Sequence, residues 1–180
     1  MTEKKFEKKY NLIDANDTLL REKLPRFDIR NPPEGVDPVE LGKELLAHMR
    51  YFGGIGLSAN QLGLPYRVFV MEGDPGFVCF NPTITAYAGE LVNLDEGCLS
   101  YPGLYVKKKR RGLIRVRFQD PYGNPCVKKF SGMSARIFQH EMEHMEGELF
   151  IDNVSDFKLK SAMKKRKILK RKAERKQRNG

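Results

Sequence analysis

Apolar residues recur at helical spacing soon after the first polar stretch of the chain. Leu41, Leu45 and Met49 follow one another every four residues, which places them on one face of a helix. The preceding Asp37-Pro38 supplies an N-cap and a proline suited to the first helical position, and Gly53-Gly54 supplies an end. The pattern predicts an amphipathic helix between these signals.

Two further helices are predicted in the second half. One runs from about residue 133 to 145, with Ile137 and Phe138 as core residues and Gly147 beyond its end. The other begins at about Asp156. Its apolar positions become sparse after Leu169, so we expect its end to fray.

The segments between these helices have the composition of strands. Residues 67–71 and 83–87 are predicted strands, and residues 114–119 alternate strictly between apolar and polar side chains. A proline- and glycine-rich turn at 121–125 leads to residues 127–130, which are expected to return antiparallel. The predicted fold class is α+β, with antiparallel β-sheets packed around a central helix.

Composition narrows the class of protein further. With 180 residues and 40% hydrophobic content, the chain is long enough for one globular domain. No run of about 18 apolar residues is present, so no membrane span is predicted. The charged first ten residues lack the apolar segment of a secretory signal. Three widely spaced cysteines argue against a disulfide framework. We therefore expect a cytoplasmic protein.

The net charge of +10 is concentrated at one end of the chain. Residues 158–180 contain eight Lys, four Arg and one Glu, whereas the other 157 residues contain 21 basic and 22 acidic groups. A segment this basic is often only a solvated extension, but it would also attract a polyanion such as RNA or an acidic protein surface. We divide the chain into a catalytic segment, 1–154, and a basic C-terminal helix, 155–180.

The segment Gln139-His140-Glu141-Met142-Glu143-His144 lies within the second predicted helix and suggests a metal site. His140 and His144 are four residues apart, so both rings can bind one ion from the same helix face. Glu141, beside the first histidine, is placed to exchange a proton with metal-bound water. The other interpretation of this segment is a solvated, charged helix.

A catalytic metal usually has three protein ligands, and two histidines leave this site incomplete. The segment Glu96-Gly97-Cys98-Leu99-Ser100 offers a thiolate, which binds divalent transition metals strongly. We expect this segment to be a strand, with the metal between it and the helix that carries the histidines. Gly97 would allow a substrate to approach the backbone closely. Cys79 and Cys126 are interpreted as small buried hydrophobic residues.

A third motif, Gly54-Ile55-Gly56-Leu57-Ser58-Ala59-Asn60-Gln61, precedes these two segments. Alone it would indicate little more than a tight turn. Together and in this order, the three motifs resemble those of peptide deformylase, the enzyme family that removes the formyl group from N-terminal formylmethionine. The resemblance covers about residues 54–152. One departure is visible, because Ser58 stands where the family commonly has alanine.

The resemblance implies one metal ion per chain, held by Cys98, His140 and His144. The implied ion is Fe²⁺, with Zn²⁺, Ni²⁺ or Co²⁺ as possible substitutes; ligand chemistry alone would favour Zn²⁺. The ion lowers the pKa of its bound water, so that hydroxide can attack the formyl carbon. Glu141 would move the proton to the leaving amine, and the Gln61 amide and Leu99 N–H would stabilise the oxyanion.

The resemblance also implies an apolar pocket for the methionine side chain and a brace for the cysteine loop. The candidate substrate-binding residues are Gly54, Ile55, Gly56, Leu94, Gly97, Met133 and Ile137, for several of which plain core packing is the alternative. Glu96 is expected to pair with Arg110. Otherwise Arg110 would belong only to the solvated basic run at 107–111.

The expected partners are N-formylmethionyl nascent peptides and, through the basic C-terminal helix, ribosomal RNA or ribosomal protein. Bacterial members of the family have such a helix near the exit tunnel. We expect a monomer that does not bind membranes.

Two other functions remain open from sequence alone. A zincin-type metallopeptidase would need a third ligand downstream of His144 and would give Cys98 no role. A ribosome- or RNA-binding module with a structural metal site would usually need a fourth protein ligand, and it would give Glu141 no role.

Overall fold

The computed structural model describes residues 7–178, and it leaves several side chains near the C-terminus undescribed. Its elements follow one another along the chain in the order helix, five strands, two helices. They are α1 (Pro38–Tyr51), β1 (Gly56–Ser58), β2 (Val68–Met71), β3 (Phe77–Glu96), β4 (Val106–Gln119), β5 (Pro125–Ser131), α2 (Gly132–Met145) and α3 (Asp156–Arg178). Short 3₁₀ turns lie at Thr18–Arg21 and Ala59–Leu62.

Helix α1 begins as its sequence predicts. The Asp37 carboxylate accepts a 2.8 Å hydrogen bond from the Glu40 N–H, and Pro38 occupies the first helical position. Leu41, Leu45 and Met49 are all buried, in a cluster that includes Val68, Val70 and Phe80 of the sheet. The predicted helix and its inward face are confirmed.

The five strands form one sheet in the order β1-β2-β3-β4-β5, and every neighbouring pair is antiparallel. Helix α2 packs on one face of this sheet. Phe138 of α2 meets Phe69 of β2 edge to face at 4.9 Å, and Phe130 of β5 lies 5.7 Å from the same ring. Apolar burial between helix and sheet is the main force that holds them together. The predicted α+β class is confirmed.

The hairpin of β3 and β4 is longer than the sequence pattern predicts. Strand β3 has 20 residues, whereas only the five at 83–87 were predicted. The prediction was too short because most of the second half of the strand is exposed and lacks an alternation of apolar and polar residues. Strand β4 begins at Val106 rather than 114. The first half of β4 does alternate between buried and exposed side chains, but this alternation cannot be recognised from sequence. The buried residue Arg110 belongs to a run of five consecutive cations, which looks exposed throughout.

The EGCLS segment is not a strand along its whole length, which corrects our expectation that a strand would hold the cysteine. Strand β3 ends at Glu96, and Cys98 lies in the turn that follows, where its carbonyl accepts a hydrogen bond from the Tyr101 N–H at 2.9 Å. Gly97 and the turn end the extended backbone. The three-residue strand β1 was also missed, because it is too short for a periodic pattern.

Helix α3 extends to Arg178, and its first turns contact the rest of the chain. Leu159 and Ala162 pack against Leu104, Val106 and Phe150. Among the residues described, no helix is both long and apolar enough to cross a bilayer. The fraying expected at its end stays a prediction, and residues 179–180 lie outside the described part.

Candidate active site

Helix α2 places three functional side chains at one buried location. His140, Glu141 and His144 are 8%, 3% and 1% exposed. The two imidazole rings are 5.3 Å apart between centroids, as expected for residues one helical turn apart. The solvated-helix interpretation of this segment is therefore wrong.

The turn after β3 brings Cys98 to the same place. Its Sγ lies 3.4 Å from His144 Nε2, and the ligand atoms of Cys98, His140 and His144 all lie within 4.8 Å of one another. Tetrahedral coordination with metal–sulfur and metal–nitrogen bonds of ordinary length would separate S and N by roughly 3.6 Å. The donor set thus fits a divalent transition metal, because thiolate and imidazole both bind such ions.

Glu96 contacts the ring nitrogen Nδ1 of His140 and so orients this imidazole. His140 Nδ1 lies 3.4 Å from Glu96 Oε2, an arrangement that fixes the imidazole tautomer in many metal sites. Burial alone would raise the pKa of the Glu96 carboxyl group. Its hydrogen bonds with His140 and Arg110 together have the larger effect and lower this pKa to about 2. Burial alone would lower the pKa of His140. The contacts of His140 with Cys98 and Glu96 together have the larger effect and raise this pKa to about 10. A metal ion would compete with this proton for the ring.

Glu96 also belongs to a buried ion cluster that joins β3, β4 and α2. Arg110 donates to both Glu96 carboxylate oxygens at 2.7 Å and to Glu143 Oε1 at 2.9 Å. Arg136 of α2 also pairs with Glu96, and Lys108 pairs with Glu143. The expected Glu96–Arg110 pair is present, and Arg110 is only 6% exposed.

We predict that Glu96→Gln destabilises the protein by at least about 3 kcal/mol, because it leaves Arg136 and Arg110 with less negative charge in a buried setting. Urea unfolding with metal in excess measures the change. Glu40→Gln is the matched control: its pair with Lys43 is exposed and should contribute less than about 1 kcal/mol. Equal stabilities of the two variants would show that the cluster does not brace the cysteine turn.

Glu141 is buried beside the three candidate metal ligands and accepts a hydrogen bond from a residue of the first motif. Ser58 Oγ donates to Glu141 Oε2 at 2.6 Å. Burial raises the pKa of Glu141, while the nearby His140 and the Ser58 hydrogen bond oppose that rise. A buried carboxyl beside candidate metal ligands is placed to accept and release a proton.

Gln61 has one orientation in this site. Its Oε1 accepts from the Ser58 N–H at 2.9 Å, so its Nε2 is left to donate to Cys98 Sγ at 3.3 Å and to Ser100 Oγ at 3.0 Å. In the described part of the chain, the backbone N–H of Leu99 donates to no protein acceptor. Two donors beside the ligand atoms could stabilise a negatively charged oxygen.

Cys98, His140 and Glu141 line a cleft of about 470 Å³, a volume suited to a small ligand or a peptide terminus, and His144 contacts Cys98 beside it. The cleft is lined by six of the seven candidate substrate-binding residues: Gly54, Ile55, Gly56, Gly97, Met133 and Ile137. Leu94 does not line it. It is exposed on β3, two residues before the strand ends, and pairs with Lys108.

Two glycines of the first motif keep this cleft open. A side chain at Gly56 would collide with Glu141 Oε1 and lie 2.9 Å from Ile137 Cγ2. One at Gly54 would lie 2.7 Å from Leu99 Cδ1. Glycine at both positions lets the backbone pass close to Glu141, Ile137 and Leu99 without displacing their side chains.

Sequence reasoning missed several residues of the site. Ser58 was noted only as a departure from the family pattern, and the roles of Ser100, Glu143 and Arg136 were not predicted. The loop at residues 101–105, which forms one wall of the cleft, was also missed. Its aromatic residues gave a weak signal, since Tyr101 and Tyr105 follow the cysteine motif directly.

Comparisons with known proteins agree with this geometry. The family described as polypeptide deformylase matches residues 10–160. A peptide deformylase of Synechococcus sp. (strain RCC307) is 38% identical over 140 residues, which are 72% of this chain and 70% of the relative. Peptide deformylase 1B of Arabidopsis thaliana, named chloroplastic/mitochondrial, is 37% identical over 183 residues. That match covers 97% of this chain and 65% of the relative, just under two thirds of its length.

Solved structures give the same result. The crystal structure of a peptide deformylase from Synechococcus elongatus in complex with actinonin has a TM-score of 0.80 at 32% identity, over 92% of this chain and 90% of that one. A plant peptide deformylase PDF1B has a TM-score of 0.79 at 35% identity, over 97% and 96% of the two chains. The chain therefore belongs to the polypeptide deformylase family.

Proposed function

We propose that the cleft around Cys98, His140, His144 and Glu141 is the active site where this chain hydrolyses the formyl group from N-terminal formylmethionine of newly made polypeptides. The observation that carries the proposal is the convergence of three ligand atoms beside a buried carboxyl. The reaction itself is that of the family to which the chain belongs.

Cys98, His140 and His144 would hold one divalent ion. When bound, such an ion acts as a Lewis acid and supplies a nucleophile from water at neutral pH. We propose Fe²⁺ as the resident metal, with Zn²⁺, Ni²⁺ or Co²⁺ as substitutes, since the mixed thiolate and imidazole ligands can accept all four.

Glu141 is the proposed proton carrier. Its Oε2 is occupied by the Ser58 hydroxyl, and its Oε1 points to the space that the missing side chain of Gly56 leaves free. From there Glu141 can take a proton from the attacking water and deliver it to the amine as formate leaves. Gln61 Nε2 and the Leu99 N–H are the proposed donors to the oxyanion.

The methionine side chain is proposed to enter the apolar part of the cleft. Ile55 and Met133 are 53% and 54% exposed, so they present apolar surface that a ligand could cover, and Ile137 lines the same cleft. Burying an apolar side chain there would favour methionine over a polar first residue.

Release of formate from formyl-Met-Ala-Ser by protein purified without oxygen tests the function. We expect formate in amounts equal to the free Met-Ala-Ser produced. Acetyl-Met-Ala-Ser is the control substrate, and mass spectrometry of a longer unformylated peptide tests for endopeptidase activity. Internal cleavage without formate release would favour the metallopeptidase instead.

We further propose that helix α3 docks on ribosomal RNA or adjacent ribosomal protein. The division into segments 1–154 and 155–180 stays a proposal, because the first turns of α3 pack on the rest of the chain. Arg166 Nε also donates to the Pro102 carbonyl at 2.8 Å, in the wall of the cleft. The exposed cations beyond Arg166 make no such contact with the described residues.

A full-length tail variant tests this docking. It neutralises four exposed cations of α3 and spares Arg166: K167Q, K170Q, R171Q and K172Q. We expect at least about tenfold weaker co-sedimentation with ribosomes at low salt, since fewer counterions would be released, and unchanged formate release from a short peptide.

A control variant removes the same number of charges elsewhere: K8Q, K9Q, R30Q and K43Q. Equal pelleting of the tail variant and the control variant would mean that α3 is only a solvated extension.

We also propose that the protein is a cytoplasmic monomer. Sedimentation of the purified protein without ribosomes tests this oligomeric state.

A further inference from the structure

The side of the sheet that faces away from α2 bears a row of cations. Along β4, buried side chains alternate with exposed ones, so every second residue points to solvent. Lys129 of β5 pairs with Arg115 of β4 and therefore shares this side. We call this surface the basic sheet face: Lys107, Lys109, Arg111, Arg115, Arg117 and Lys129.

These six cations have little negative charge near them. Among the side chains that the structure describes, none of the six forms an ion pair, whereas Lys108 and Arg110 on the inward side pair with Glu143 and Glu96. On the neighbouring strand β3, Asp95 lies opposite Lys107. The chain outside residues 158–180 is nearly neutral, so the basic sheet face reflects a separation of charge and not a basic composition.

The proposed deformylation does not use this surface. None of the six residues lines the cleft, and the metal ligands lie against the opposite side of the sheet. Unpaired cations at this density repel one another, which costs stability unless an anion binds.

The spacing of the cations suggests the chemistry of a partner. Alternate residues on a strand are roughly 6.7 Å apart, so the row from Lys107 to Arg117 extends about 33 Å in a line. The row is interrupted once, at Leu113. A line of point charges at such spacing complements a stiff polymer with regularly repeated phosphates. The arginines can also grip phosphate oxygens with two N–H groups at once. Lipid headgroups, by contrast, are mobile and require no regular spacing.

The residues around the cations distinguish a duplex from a single strand. The exposed side chains that share this side of the three strands include Leu113, Val127 and Thr83, and the aromatic ring that the register places there, Phe80, is buried. Single-stranded nucleic acids are usually bound through bases stacked on aromatic rings. A surface with cations and no exposed rings is suited to the backbone of a helix.

We propose that the basic sheet face binds the phosphate backbone of double-stranded RNA. The choice of RNA over DNA rests on the proposed function, because newly made polypeptides emerge from an RNA-rich particle. Helix α3 packs on the inward side of β4 at Val106, whose side chain points away from that of Lys107, so the basic sheet face is a surface separate from α3.

A full-length sheet variant tests the proposal beside the tail and control variants. It neutralises four exposed cations that make no hydrogen bond to a described side chain: K109Q, R115Q, R117Q and K129Q. A second version places threonine, which suits strands, at the same positions. Binding is measured to a 20-base-pair RNA duplex, to single-stranded oligouridine and to vesicles containing anionic lipid, over a range of salt.

We expect the sheet variant to bind the RNA duplex at least about tenfold more weakly than the control variant at 50 mM salt. The slope of log affinity against log salt should fall by about 3 to 4, which corresponds to four lost phosphate contacts. Formate release by all variants should equal that of the wild type, so a failure of the proposed function would appear there and not in the RNA measurements.

Equal duplex affinity and salt slope for the sheet and control variants would overturn the proposal. It would also be overturned if the sheet variant lost binding to anionic vesicles but kept duplex binding, since the surface would then recognise lipid. Loss of duplex binding in both sheet versions, with unchanged formate release, supports it.

Discussion

Glu141→Gln is expected to lower turnover of formyl-Met-Ala-Ser at least about 100-fold while metal content stays at one ion per chain. Glutamine keeps the size of glutamate and can still accept the Ser58 hydrogen bond, but it cannot carry a proton. The variant separates binding from chemistry because Glu141 is not among the three ligand residues. Formate release and elemental analysis on the same preparation measure the two properties.

Glu148→Gln is the matched control for this experiment. Glu148 lies just beyond α2 and is exposed, so the change removes the same charge without touching the cleft. Its turnover should equal that of the wild type. If Glu141→Gln retained near-normal turnover, another group would have to move the proton, and Glu141 would have only a structural part in the site.

Cys98→Ala, His140→Ala and His144→Ala are each expected to lose the metal and, with it, formate release. Two remaining ligands do not complete the coordination that holds a catalytic ion. Elemental analysis of protein purified without oxygen measures the loss. Since metal binding contributes to folding free energy, we also expect each variant to unfold at lower urea concentration than the metal-loaded wild type.

Cys126→Ala is the control for a missing thiol, because Cys126 is partly buried and lies outside the ligand group. It should keep one ion per chain. Full metal occupancy in any of the three ligand variants would refute the ligand set. In particular, metal retained by Cys98→Ala would favour the metallopeptidase, in which the cysteine has no role.

Where burial follows a regular period, sequence predicted the fold well. The inward faces of α1 and α2 repeat every three to four residues, and residues 114–119 of β4 alternate, so these elements could be found locally. The three candidate ligand residues, which the structure brings together, could be proposed from sequence for a different reason. Two histidines one helical turn apart and a cysteine in a known motif are rare combinations, and they need no knowledge of the tertiary structure.

The residues that were missed depend on contacts between distant segments. Arg136 contacts Glu96 across 40 positions of sequence, and Glu143 contacts Arg110 across 33, so neither could be assigned to the cluster from its neighbours in the chain. Ser58 contacts Glu141 across 83 positions of sequence, so its part in the site could not be predicted from neighbouring residues. The exposed half of β3 had no apolar period, and its pairing with β4 defines it as a strand.

Gly56 has a consequence for how sequences with this site can vary. Because glycine has no side chain, position 56 leaves room for the Glu141 carboxylate. Any larger residue at position 56 would displace Glu141. Shortening the acid to aspartate would relieve the collision but would draw the carboxylate away from Ser58. The two positions are 85 residues apart, yet they are coupled: a side chain at position 56 needs a change in the acid that it would meet at position 141.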